Sequence, residues 1–290
     1  MSDQRSQAVS EAVNRLEKIG IEAETPHRIS YFSVGSEDSP IDSVPSASYI
    51  VETDAIGVNT SEEATSDDID TANNIAHELV HYNATNEMFG ETSDDFKDEV
   101  ENLMEAREAF VTLADRHGYN LFHDPEVGTE HGLDPFHLEP IALATEDIGA
   151  LSDILHENSD RGELPLEQIG EEADGLLQKH YPSISQRQEE VYESGALPLQ
   201  EPIAYFTELH LSGIIDDAVR YNTVGRLETR FEDIITKDFD TKPDRYFGGN
   251  SREDVTNAVT ESFGEMLSQY QSLVYNGFNG DEAAELILNN

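Results

Sequence analysis

The sequence predicts an α+β chain that is predominantly helical, with a small N-terminal β-sheet, one buried helix bearing the chemistry, and a helical C-terminal half. Three observations lead there. Apolar residues recur at helical spacing through most of the 290 residues. Strand-like runs are confined to residues 28–59. Beyond residue 137 the pattern is almost wholly helical.

Residues 4–19 read as a helix, with Ala8, Val9, Ala12, Val13, Leu16 and Ile19 on one face and Gly20 as its stop. Residues 28–34, 48–52 and 55–59 read as strands, the last two joined by a hairpin at Thr53-Asp54. Residues 67–88 contain no Pro or Gly. Ser66 ahead of Asp67, Asp68 and Asp70 makes a cap with an acidic first turn. Ile69, Ala72, Ala76, Leu79 and Val80 then form an apolar stripe. After a loop at 90–93, residues 94–117 predict a second long helix, stopped by Gly118, and 118–136 read as loop. Polar breaks near 157–165, 181–186 and 193–200 divide the remainder. Residues 252–276 form the last long helix, carrying Val255, Val259, Phe263, Met266, Tyr270 and Leu273. Glu139-Pro140-Ile141-Ala142 and Glu201-Pro202-Ile203-Ala204 read as two similar helix starts, because Pro suits a first turn. The expected division is a core over 1–136 and a helical subdomain over 137–290.

Charge narrows the function classes. The formal net charge is −44, from 61 acidic against 17 basic residues. Five of the basic residues are Lys: Lys18, Lys97, Lys179, Lys237 and Lys242. Such a chain repels nucleic acid and anionic membranes. Its 11 Tyr and 12 Phe, spread along recurrent apolar periodicity, exclude wholesale disorder. No apolar run is long enough to span a bilayer and no signal peptide is visible, so a cytoplasmic protein is expected. With no Cys, any metal must be held by His and carboxylates, which suits a catalytic rather than a structural site.

Residues 77–81 read His77-Glu78-Leu79-Val80-His81. On a helix, two histidines four positions apart point the same way and can share one cation. Glu78 then stands beside a metal-bound water rather than on the metal. Ile75, Ala76, Leu79, Val80 and Tyr82 around the motif carry no charge that would disturb the ligands. A catalytic zinc wants three protein ligands and an open position. The chain reverses after the metal helix, and two to three turns into the return helix Glu101 and Glu105 come level with the histidines.

These residues resemble the gluzincin metallopeptidases, which pair His-Glu-x-x-His with a distal glutamate. The spacing from His81 to Glu105 lies within the range of such families, and Glu105-Ala106 matches a step often found at the ligand. The second-shell Asp that often follows one turn later is Ala109 here. Glu261-Ser262-Phe263-Gly264-Glu265 resembles the ligand helix of some other zincins, and Glu201-Pro202-Ile203-Ala204-Tyr205 resembles such a pattern too. Glu105 is therefore the expected third ligand, Glu261 its main alternative, with Glu101, Glu201 and Glu139 also open. The order helix, strands, metal helix is similar to the N-terminal half of zincins, in which the strand nearest the cleft pairs with extended substrate; residues 55–59 are the candidate strand. The acid-rich, lysine-poor composition resembles proteins of a halophilic archaeon or its viruses, whose molar salt screens self-repulsion.

The resemblance implies a zinc-dependent metalloprotease acting on a peptide or protein. Zn2+ would bring its water's pKa from about 15.7 towards about 7. Glu78 would accept the proton and pass it to the leaving amine. A further donor should stabilise the oxyanion; His131, His137 and Tyr246 lie in loop-like segments and could serve, though each also reads as a surface or packing residue. Two competing functions stand beside this one: a non-catalytic zincin-like scaffold that binds a protein partner, and a metal-free acidic helical module acting by charge mimicry.

Overall fold

The computed structural model describes residues 2–26, 28–32, 47–51, 54–59, 71–103, 178–179, 181–242 and 244–289. It is predominantly helical with one small sheet. Helix α1 (Ser2–Lys18) precedes strands β1 (Arg28–Phe32), β2 (Ala47–Ile50) and β3 (Ala55–Asn59), then helix α2 (Thr71–Phe89). Residues 94–103 form helix α3. The C-terminal part comprises α4 (Pro182–Ser194), α5 (Ala196–Leu211), α6 (Ile214–Arg220), α7 (Val224–Thr241), a 3-10 turn (Asp244–Phe247), α8 (Arg252–Tyr275) and α9 (Gly280–Leu288). Among the described residues no helix is long and apolar enough to cross a membrane.

The sheet order is β1-β3-β2. β2 and β3 form the expected antiparallel hairpin, with Tyr49 opposite Ile56, and β1 joins β3 in parallel. This corrects the substrate-strand expectation. β3 is paired on both sides and has no free backbone edge, whereas β2 lies at the margin of the described sheet.

Two apolar clusters organise the packing. The first joins Val9, Ala12 and Leu16 of α1, Ile56 and Val58 of β3, and Ile75, Ala76 and Leu79 of α2. The second joins Phe206 of α5, Phe231, Ile235 and Phe239 of α7, and Val259, Phe263 and Leu267 of α8. Helix α5 lies between them, giving Ala204 to the first and Leu197 and Phe206 to the second. It is consequently buried on almost every side. A helix apolar around its circumference belongs inside a core. This placement sets α5 directly against α2.

Two boundaries differ from expectation. The supposed break at 181–186 is the start of α4, where Pro182 occupies a first-turn position. Pro202 does not open a helix: α5 begins at Ala196, after Gly195 takes the left-handed conformation (φ +62) that separates it from α4. The cap at Ser66, the helix beyond residue 103 and the loop at 118–136 lie outside the described residues.

Candidate metal centre

His77 and His81 sit one helical turn apart on α2, both buried. Their ring centroids are 5.2 Å apart. Opposite them, α5 presents Glu201 and Glu208, seven residues apart and so nearly in line on one face. Glu201 meets both rings. Its Oε2 lies 3.6 Å from His77 Nε2 and its Oε1 3.6 Å from His81 Nε2. One ligand atom from each of His77, His81 and Glu201 falls within 4.8 Å of the others.

The far sides of the rings are also held. Gln200 Oε1 lies 3.1 Å from His81 Nδ1. An amide oxygen there accepts from Nδ1–H, so Nε2 is the nitrogen that faces Glu201. Glu208 Oε2 lies 2.9 Å from His77 Nδ1. Glu208 raises the His77 pKa through this contact as well as through its charge. The Tyr205 ring, 4.8 Å from His77 and edge-on, braces that imidazole, and Phe231 and Phe263 stack behind it.

Burying carboxylates is expensive unless each meets an opposing charge or donor. Burial alone would raise the Glu201 pKa, but the imidazoles of His81 and His77 outweigh it and hold the carboxyl far below the ordinary range. Conversely, burial would lower both histidines, yet Glu201, with Glu208 and Glu78 at His77, raises His77 well above its ordinary value. Glu201 likewise raises His81. Asp238 of α7 is raised by burial, moderated by Lys242, whose Nζ lies 3.3 Å away. Positive charge is thus wanted where the two Nε2 atoms and Glu201 converge. In metal-free protein, protons on the imidazoles supply it.

The same arrangement fits a zinc ion. Donors around a tetrahedral zinc with bonds of about 2.0–2.2 Å stand roughly 3.4 Å apart; here each Nε2 lies 3.6 Å from its own oxygen of Glu201, and one ligand atom from each of the three residues falls within 4.8 Å of the others. Two imidazoles and a carboxylate match its ligand chemistry. A carboxylate and an amide oxygen behind the imidazoles match the outer support such ligands need.

Glu78 points to the sheet, where its Oε2 accepts a 2.7 Å hydrogen bond from the Tyr49 backbone N–H. Tyr246 of the 3-10 turn lies 3.5 Å by its hydroxyl from Glu201 Oε1. Its pKa is raised by burial and then by Glu201 and Asp238, which keeps it a proton donor.

Of the glutamates weighed from sequence, the structure brings Glu201 to the histidines. Glu261 is exposed on α8 and Glu101 is exposed on α3. Glu105, Glu139, His131 and His137 lie outside the described residues. Sequence reasoning missed Glu208, Gln200 and Tyr205. No protein-family model, curated protein or solved structure matches the chain.

Proposed function

We propose that this chain is a zinc-dependent peptidase of gluzincin-like arrangement, with His77, His81 and Glu201 as metal ligands and Glu78 as general base. The supporting observation is the convergence of both Nε2 atoms on the two oxygens of one buried carboxylate, with each Nδ1 anchored from behind. A bound zinc supplies Lewis acidity, making water deprotonable near neutral pH and polarising a substrate carbonyl. Glu78 accepts the water's proton and returns it to the departing amine. Glu208 and Gln200 keep both imidazoles aimed. The Tyr246 hydroxyl, beside Glu201, is placed to donate to the developing oxyanion. In this reading the protein works on peptides in a salt-loaded cytoplasm.

The test is zinc content together with casein hydrolysis in molar KCl. Wild type should hold one zinc per chain and cleave. Glu78→Gln should keep the zinc and lose about 10²–10⁴-fold in rate. Glu201→Gln should lose the zinc, while Glu261→Gln and Glu105→Gln retain it. Zinc without hydrolysis in wild type would support the scaffold reading instead. Full zinc content in Glu201→Gln would remove Glu201 from the site.

A further inference from the structure

In an antiparallel pair, opposed residues alternate between those that exchange both ladder bonds and those that exchange none. Tyr49 stands opposite Ile56, and its N–H goes to Glu78 rather than to β3. Tyr49 therefore directs its backbone polar groups away from β3, along the outer edge of β2. No strand pairs with that edge among the described residues. An unpaired edge is where an extended chain adds by main-chain hydrogen bonds. Here one of those donors is already engaged by the carboxylate next to His77.

The side chain of Tyr49 keeps this position rigid. Its hydroxyl donates to Asp54 Oδ1 at 3.0 Å, and its ring meets Tyr82 of α2 edge-on at 6.0 Å. Asp54 is buried in the turn between β2 and β3. The Tyr49 N–H is thus held in place independently of Glu78, available to whichever acceptor reaches it.

We infer that the Tyr49 N–H is a shared donor: Glu78 rests on it in the free protein, and the main-chain carbonyl of an extended substrate takes it over, freeing Glu78 to turn to the water. This rests on the peptidase reading, which already expects extended polypeptide as substrate, and adds the order of events. The substrate is an internal stretch of extended polypeptide long enough to lay a backbone carbonyl against residue 49. A short peptide that ends before that point leaves Glu78 docked. Length then acts on kcat, not only on KM, because the missing contact controls the base as well as binding.

The test uses the full-length zinc-loaded protein in molar KCl and two phosphinic peptide inhibitors, one extended along β2 and one truncated before residue 49. Crystal structures should show the extended inhibitor's carbonyl within hydrogen-bond distance of the Tyr49 N and Glu78 Oε2 moved beyond 3.5 Å from it. The truncated inhibitor should leave the resting 2.7 Å bond intact. Kinetics of matched substrates should give at least a tenfold higher kcat for the extended one. Tyr49→Pro removes the N–H at an edge position that tolerates proline, and should reduce that kcat ratio to within about twofold of unity. Tyr49→Phe, which keeps the N–H and the ring against Tyr82, should preserve it. If Tyr49→Pro fails to fold, the pair of crystal structures decides alone. Glu78 still bonded to Tyr49 under the extended inhibitor overturns the inference, as does a length effect confined to KM. Either result leaves the peptidase reading standing, whereas absence of zinc or of any cleavage removes that reading itself.

Discussion

Replacing Gly248 by Ala tests how the Tyr246 turn is seated over Glu201. Gly248 has φ +58, and a Cβ there would lie 2.6 Å from Gly195 N and 2.7 Å from Gly195 Cα. These are backbone atoms at the junction of α4 and α5, so relief requires moving a helix end. The left-handed conformation costs a non-glycine residue about 1–2 kcal/mol, and overpacking typically adds about 1–3 kcal/mol. Gly249 is the internal control. Its φ is +78, yet nothing lies within 4 Å of its added Cβ, so Gly249→Ala carries the conformational penalty alone. Gly248→Ala should therefore be less stable than Gly249→Ala by about 1–3 kcal/mol. With a urea m-value of about 3 kcal/mol/M, its unfolding midpoint in molar KCl should fall about 0.3–1 M below the control. Coincident midpoints would mean that the Gly195–Gly248 approach does not seat the turn, and the account of how Tyr246 reaches Glu201 would fail with it.

Glu208→Ala should weaken zinc binding about 10–100-fold by leaving His77 Nδ1 unsupported; chelator competition measures this, and an unchanged affinity would strip Glu208 of that role. The metal-free protein should lose stability as pH rises. Its His77 and His81 are raised in the folded state by Glu201 and, at His77, Glu208, so their contribution is complete below about pH 6.5 and disappears as pH climbs through the raised values. Over the same interval zinc binding should tighten, because it requires neutral imidazoles. A melting temperature of chelated protein that holds level or rises between pH 6.5 and 8.5 contradicts this. Salt should stabilise the fold: with a net charge of −44, shortening the Debye length from about 10 Å at 0.1 M to about 3 Å at 1 M reduces self-repulsion. Melting curves in KCl should move upward, and a downward trend would show that repulsion is not limiting.

Local signals were legible in the sequence wherever one stretch of chain decided its own structure. The stripe from Val9 to Leu16 and the stop at Gly20 mark α1, residues 55–59 coincide with β3, and the run from Val255 to Leu273 marks α8. What depended on distant pairing was not. Whether residues 55–59 lie at an edge is decided by β1 joining them from the other side, a parallel contact that skips β2 in sequence. The third candidate ligand shows the same limit. Helix-reversal geometry favoured glutamates close behind His81 in the chain, while the carboxylate that meets the histidines comes from α5. A clue was present. Residues 196–211 carry two charged groups only, Glu201 and Glu208, spaced to share a face, within an otherwise uncharged segment of a very acidic chain. Reading Pro202 as a helix start hid it, since that places Glu201 outside the helix instead of in its buried middle.

The seat of α5 between the two apolar clusters has a temporal meaning. His81 and Gln200, which touch across the site, are 119 positions apart. During synthesis at about 5–20 residues per second, the histidines are made on the order of ten seconds before the carboxylates that complete their surroundings. A growing or prematurely terminated polypeptide therefore has no assembled centre, and the histidines meet their carboxylates only after α5 has been made and has packed against α2.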